Sequence, residues 1–430
     1  MGTQDVVLDK RLFGSQSLLH RPDTGPDPAG DPPGDGIPSR VIVSRPILVV
    51  SDLLPPKRGG LADHTLLLAR GLARHRPVTV LTSPGADPQS DFSVRPAARS
   101  WHDLRGLRAE FARIPRETQI LWQYVPHMYG RGGVNWTLPH LIAELAQQGH
   151  PQMVLAHEII ADPSWHPVRA WYVWNQRRQW SAILRHADIV PIGCSRWVED
   201  WGHRKPEIAS KLFTLPSPCN IPVAPTPENH RARWRQELGL PPEIPVLAYF
   251  GTLNPSKQLD WILGCWEESH RRGLETAFVV IGASPSISVP AHLTGRFRAL
   301  GYLPEEAASH ALSAVDVLAL PFIDGISERR GSIMAGLGHG VAVASTIGHC
   351  TGRVLAKADW AALSRIDDRE GFVSSVAGLL ADPARRQHLG AAGRSHYQQH
   401  FDWPVIVDQV LRNLPTGRPR RPEESAPCAS

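Results

Sequence analysis

The stretch VLAYFGTLNPSKQLDWILGCWEESHRRGLETAFVVIG, residues 246–282, decides the fold. It opens on a short apolar run, VLAYFG (246–251), passes through a helical stretch from about Gln258 to Arg272, and returns to a second apolar run, AFVVIG (277–282). Apolar runs this short, bounded by turn residues, read as strands buried on both faces; strand, helix, strand is the unit of a parallel sheet covered by helices. FRALGY (297–302) and VDVLALPF (315–322) continue the series, and a helix opening near Gly331, the strand VAVAS (341–345) and further helices complete it.

Upstream the same alternation runs a first time. ILVVS (47–51) is followed by a loop containing Pro55, Pro56, Gly59 and Gly60, and residues 61–74 then set Ala62, Leu66, Ala69 and Ala73 on one helical stripe. VTVLTS (78–83), QILWQY (119–124), MVLAHE (153–158) and DIVPIG (188–193) are further strand candidates. Between the two series the chain is Pro-rich, with one short helical piece. The expectation is an α/β protein of two tandem Rossmann-like, doubly wound domains at 41–215 and 246–400, joined by a linker at 216–245. Residues 1–40 (with RPDTGPDPAGDPPGDG) and 416–430 lack the apolar content needed to offset the entropy of ordering, and are expected to be disordered tails.

Composition narrows the function classes. A chain of 430 residues with 42% apolar and 20% charged residues is globular in character. No segment approaches the ~18 uninterrupted apolar residues of a spanning helix. The net charge of +5 is spread thinly, which argues against nucleic acid and suits an anionic small ligand or weak contact with a membrane surface. Basic clusters at Arg105, Arg108, Arg113 and Arg116 and at Arg177-Arg178 read first as solvated faces, and second as a membrane contact. Five scattered cysteines without a CxxC pair imply free thiols, and the first residues show no secretory signal, so a cytoplasmic protein, peripheral at most to a membrane, is expected. Neither GxGxxG after the first strand nor GxxxxGK[ST] occurs, which disfavours a nicotinamide enzyme and a P-loop ATPase.

Two doubly wound domains in tandem bind ligands beyond the carboxyl ends of their strands, so the cleft between them is a natural two-substrate site. Several segments fall at such ends: Pro55-Pro56-Lys57-Arg58-Gly59-Gly60; His157-Glu158; Gly251-Thr252-Leu253-Asn254-Pro255-Ser256-Lys257; and Asp324-Gly325-Ile326-Ser327-Glu328-Arg329-Arg330-Gly331-Ser332, running on to Gly340. The last ends in a Ser-Glu-Arg-Arg-Gly-Ser turn that opens a helix. Arg330, the Ser332 hydroxyl and the amides of Gly331 and Ser332 would suit a diphosphate there, and two arginines at a helix start are unfavourable without an anion nearby.

In order and placement these segments, with Phe401-Asp402-Trp403 and the apolar VIVDQVLRNL after it, resemble the GT-B glycosyltransferases, and within them the retaining enzymes of family 4, over roughly residues 45–415. The resemblance implies that Gly59 and Gly60 approach donor phosphates and acceptor, and that Gly251, Thr252 and Lys257 lie at the diphosphate. Thr252 stands where the family has an arginine, for which Arg330 is expected to compensate. Ser327 and Ala335 fall at the two positions of the family's E-x7-E carboxylates. His157 and Glu158 lie near the transferring sugar, with Ser327 and Glu328 as further catalytic candidates, and residues 401–415 form a helix crossing back to the first domain. The implied activity is transfer of a sugar, with retention and without a metal or other cofactor, from a nucleotide-diphosphate-sugar to a glycan, lipid or small-molecule acceptor. A nucleotide-sugar epimerase and a non-catalytic nucleotide-binding protein are the alternatives.

Overall fold

The computed structural model describes residues 45–97, 101–161, 165–226, 229–253, 256–282 and 287–416. The tail expected at 1–40, nearly all of that at 416–430, and Asn254-Pro255 lie outside the described residues.

The first half alternates as β1 (Ile47–Val50), α1 (Gly60–Ala73), β2 (Val78–Thr82), β3 (Ser93–Pro96), α2 (Arg105–Phe111), β4 (Gln119–Tyr124), α3 (Pro126–Tyr129), α4 (Thr137–Gln147), β5 (Gln152–Ala156), α5 (Pro167–His186), β6 (Val190–Ile192), α6 (Ser195–Arg204) and β7 (Leu212–Thr214). The second half begins with α7 (His230–Glu237) and continues as β8 (Val246–Phe250), α8 (Leu259–Arg271), β9 (Ala277–Ile281), β10 (Phe297–Gly301), α9 (Glu305–Ala314), β11 (Val317–Leu320), α10 (Gly331–Gly338), β12 (Ala342–Ile347), β13 (Ala362–Arg365), α11 (Arg369–Ala381), α12 (Pro383–His400) and α13 (Trp403–Asn413).

Two parallel sheets result, ordered β3-β2-β1-β4-β5-β6-β7 and β10-β9-β8-β11-β12-β13. Central strands such as β1, β4, β5, β9 and β11 are buried along their whole length, as continuous apolar runs sandwiched by helices must be. In each sheet the order reverses between the first strand and its neighbour across the middle, β1/β4 and β8/β11. Such a reversal opens a crevice at the carboxyl ends, because the flanking helices leave in opposite directions. The protein is an α/β molecule with two doubly wound sheets in one chain, the architecture expected from the alternation of strands and helices.

Three strands went unread in the sequence. β3 is an almost wholly exposed edge, β7 is three residues long, and β13 is half exposed, so none carries a buried-strand pattern.

The last helix, α13, joins the core of the first half: Ile406, Val407 and Val410 are buried with Leu68, Leu72 and Val80. Gly71 permits this contact. A Cβ built there would lie 2.4 Å from Val407 Cγ2, and a β-branched side chain has little rotamer freedom to retreat. Overpacking of this kind costs about 1–3 kcal/mol, against a gain of up to about 1 kcal/mol from removing a glycine from a helix. Gly71→Ala should therefore lower the melting temperature, and Val407→Ala in the same chain should restore part of the loss; a Gly71→Ala protein melting at or above the parent temperature would remove this contact from the account.

Candidate active site

A cavity of about 760 Å³ lies between the two halves, at both topological switch points. Asp52 and Leu53 follow β1 and Val125 follows β4, while Lys257 and Phe322 mark the matching crevice of the second sheet.

Lys257 is fixed there by the backbone. It makes an isolated antiparallel bridge with Phe322, flanked by Gln258 N–H to Pro321 O at 3.0 Å and Ile323 N–H to Ser256 O at 3.0 Å. Its ammonium sits 4.8 Å from the Tyr249 ring centroid and donates to Phe250 O at 3.3 Å. Gly251 (φ 105°) makes room for it, since a Cβ there would stand 2.9 Å from Lys257 Nζ. Burial, with Arg330 as a second cause, pushes its pKa down to about 8. A desolvated ammonium held beside a guanidinium stabilises an incoming anion strongly.

Arg330 donates to both oxygens of Asp324 and lies over the Phe322 ring at 4.3 Å. Arg329 donates to the same carboxylate at 2.6 Å and stacks over Trp197 of α6 at 4.7 Å. One buried carboxylate therefore serves two guanidiniums that are only 15% and 16% exposed. Arg330 is the N-cap residue of α10 and supplies no side-chain cap, so the amides of Gly331 and Ser332 belong to the turn that a helix leaves unpaired. By contrast α11, α12 and α13 are each capped by an aspartate, Asp368, Asp382 and Asp402. Gly331, Ser332, Arg330 and Lys257 all line the cavity, and together they form a wall of positive charge suited to an anion.

The opposite wall comes from the first half. His157 shares a hydrogen bond with Gln123, and burial pushes its pKa down to about 4. His64, on α1, sits edge-on to it with ring centroids 4.6 Å apart and 5.1 Å from the Trp403 ring. Burial, then His157, holds His64 well below the ordinary imidazole range, and its Nδ1 has no hydrogen-bond partner among the described residues. Both rings are neutral near pH 7, fit to exchange hydrogen bonds with sugar hydroxyls and not to act as cations. Glu158 is half exposed at the rim, 4.0 Å from Arg329.

Of the residues proposed from sequence, Gly60, His157, Glu158, Lys257, Arg330, Gly331 and Ser332 come together on the cavity. Gly59, Gly251 and Thr252 are not part of that lining; Thr252 offers its carbonyl to the Tyr249 hydroxyl. Ser327 and Glu328, expected as catalytic candidates, are placed apart from the cavity. Ser327 is wholly buried, and Glu328 is turned into the seam between the halves, where its carboxylate accepts from Ser195 N–H at 3.2 Å and its carbonyl from Ser217 N–H at 3.0 Å. Neither lines the cavity. His64 was missed, because a histidine inside an amphipathic helix carries no signal of its own. Cys194, Cys219, Cys265 and Cys350 are buried free thiols, and Cys428 lies outside the described residues.

No family model matches the chain. A GDP-mannose-dependent alpha-(1-6)-phosphatidylinositol monomannoside mannosyltransferase of Mycolicibacterium smegmatis is 24% identical over 385 residues, covering 83% of this chain and 95% of that one. A GDP-mannose-dependent monoacylated alpha-(1-6)-phosphatidylinositol monomannoside mannosyltransferase of Corynebacterium glutamicum is 25% identical over 403 residues, 88% and 99% of the two chains. The solved sucrose-phosphate synthase of Thermosynechococcus elongatus superposes with a TM-score of 0.65 at 17% identity, over 86% of this chain and 98% of that one. The chain is a glycosyltransferase of the GT-B fold. Its glycosyltransferase relatives match over nearly their whole length, so the likeness takes in both halves and the cleft between them. Among its described residues no helix is long and apolar enough to cross a membrane.

Two outcomes follow from the anion wall of this glycosyltransferase. Lys257 must be protonated to meet a diphosphate, so affinity for a nucleoside diphosphate should fall about tenfold per pH unit above its pKa of about 8. Calorimetric titrations from pH 7 upward should show that slope in the parent and a flat profile in Lys257→Met; parallel slopes would take Lys257 out of the site. Asp324→Asn leaves two buried guanidiniums without their shared counter-charge, a loss of about 3–5 kcal/mol. Its lowered melting temperature should recover in part with added pyrophosphate, and no recovery would mean that anions do not reach the pair.

Proposed function

We propose that the enzyme moves a hexosyl group from a nucleoside-diphosphate hexose to an inositol-phosphate-based lipid acceptor, with retention at the anomeric carbon and without a metal at the diphosphate. The observation that carries this reading is the meeting of Lys257, Arg330 and the start of α10 on one wall of a cavity whose other wall holds His64, His157 and Glu158. The diphosphate is the leaving group, and its charge grows as the sugar–phosphate bond breaks. Fixed positive groups in a desolvated cleft stabilise that charge without reorganising, the service a divalent cation supplies elsewhere. Arg330 offers a guanidinium, Lys257 a point charge, and Gly331 and Ser332 the amides of a helix start.

With the diphosphate on the second half, the hexose extends across the cavity toward the first. Neutral His157, oriented by Gln123, and neutral His64 then meet its hydroxyls, and Glu158 stands at the rim where an acceptor hydroxyl would enter. Leu53, Leu61 and Met128 add apolar lining on this side, which suits an acceptor carrying a hydrocarbon portion near its polar head. Retention is proposed from the likeness to retaining enzymes. GDP-mannose and a phosphatidylinositol mannoside are the donor and acceptor to try first, because the two mannosyltransferases that align over 95% and 99% of their lengths use GDP-mannose and bear phosphatidylinositol monomannoside in their names.

A thermal-shift screen against GDP, UDP, ADP, CMP and NAD is the direct test, since a ligand of the folded state raises its melting temperature. One nucleoside diphosphate should stabilise the protein, and Arg330→Ala should bind it at least about tenfold more weakly, the effect of losing a charge-assisted hydrogen bond of about 1.5–3 kcal/mol. With the matching nucleotide-sugar, transfer to a phosphoinositide acceptor should proceed in the presence of chelator and give an axial or equatorial linkage matching the donor. Sugar inversion at a ring carbon without transfer would mark an epimerase, nucleotide binding without turnover a non-catalytic protein, and a response to NAD alone would overturn the reading.

A further inference from the structure

Helix α5 (Pro167–His186) buries Val173, Trp180, Ile183 and Leu184 and, beside them, several side-chain amides, while it leaves tryptophans in water. Its buried face carries Asn175, Gln176 and Gln179, each hydrogen-bonded: Gln176 accepts from Ala161 N–H at 2.7 Å and donates to Gly132 O at 2.8 Å, and Gln179 accepts from Asn135 N–H at 2.6 Å. Its solvent face carries Val168, Trp171 and Trp174, exposed by 58%, 55% and 54%, with fully exposed Trp165 just before the helix. Residues 168, 171, 174, 178, 181 and 185 recur at helical spacing, so the tryptophans and Arg178 and Arg185 share one stripe. The helix holds four exposed arginines, Arg169, Arg177, Arg178 and Arg185, and no Asp or Glu. None of the four forms an ion pair among the described residues; Arg178 lies over the Trp174 ring at 4.7 Å. Beside them a groove of about 400 Å³ is lined by Trp136, Trp174, Arg177, Arg178 and Arg185.

Large aromatic side chains left in water beside unneutralised arginines suit one kind of surface, in which apolar matter lies beneath a layer of negative charge. Tryptophan favours that boundary because its ring is apolar and its N–H is not, and arginine adds attraction to anionic headgroups. We infer that the exposed face of α5 docks the enzyme on an anionic lipid bilayer, with the tryptophans in the headgroup layer and a lipid phosphate in the groove between Trp136 and Arg178. The inference deepens the reading of a lipid-linked acceptor and rests on it. Gln176 ties α5 to the loop before it, which follows His157 and Glu158, and to the turn after α3, whose His127 and Met128 line the cavity. The helix that meets the bilayer thus also buttresses the wall where the acceptor enters.

Flotation of the full chain with vesicles tests this, using phosphatidylcholine alone or with about a third phosphatidylglycerol, and no acceptor present. The parent should bind the anionic vesicles and not the neutral ones. Trp171→Ser with Trp174→Ser, and separately Arg177→Glu with Arg178→Glu, should each weaken binding about tenfold or more, at unchanged melting temperature. Arg105→Glu with Arg113→Glu, at the start of α2 and just after its end, where Asp103 and Glu110 already neutralise the arginines, should leave binding unchanged. Equal binding to neutral vesicles, an equal loss in the α2 variant, or full binding by either α5 variant would overturn the inference. So would a dimer that the α5 variants dissolve, since a second copy would then cover the face. Absent vesicle binding with an intact nucleoside-diphosphate shift defeats the docking surface alone; vesicle binding without any nucleotide shift defeats the donor reading alone.

Discussion

Two guanidiniums share the single buried carboxylate of Asp324, and the cleft is arranged around the charge left over. Lys257 adds a third cation with no carboxylate partner among the described residues, and the uncapped start of α10 adds the positive end of a helix dipole. Each group is taken out of water, so the surplus is expensive unless it is soothed. The rings of Phe322, Tyr249 and Trp197 do this partly, lying against Arg330, Lys257 and Arg329. The remainder shows in the depressed pKa of Lys257, for which burial is the larger cause and Arg330 the smaller. An anion is the natural complement of that surplus.

The segment that makes this wall also makes the seam between the halves. Arg329 reaches Trp197, Glu328 holds the first amide of α6 and that of Ser217, and Cys194 Sγ donates to Cys350 O at 3.3 Å. Gly352 lies against Ser195 so closely that a Cβ there would fall 1.9 Å from its hydroxyl oxygen. In the run Ser327 to Ser332, then, the first residues serve the seam and the last serve the cavity, and the change of duty occurs at Arg329.

This division explains what could and could not be read from sequence. The alternation of apolar runs with helical stretches is a property of continuous segments, and both central sheets were legible in it. That Lys257, Arg330, Gly331 and Ser332 gather at one place was legible, because each falls just beyond a strand of the second sheet, where a doubly wound sheet opens its crevice. Ser327 and Glu328 sit in the same turn, yet which side of it faces the cavity depends on α6 and the linker, more than 100 residues upstream. His64 acquires its place only when α13 brings Trp403 beside it. The buried amides of α5 were likewise hidden: Gln176 and Gln179 look solvated until their backbone partners at Ala161, Gly132 and Asn135 are known.

The chain passes between the two halves twice, once through the linker and again at the start of α13, and these passages touch. Trp403 Nε1 donates to Cys219 O at 2.8 Å, and Cys219 N–H donates to the Tyr397 hydroxyl at 3.2 Å. The two crossings are thus tied to each other at Cys219, while the seam at Ser195, Glu328 and Gly352 fastens the halves at a second place. Held at both, the cleft keeps the wall of Lys257 facing the wall of His157 across one cavity.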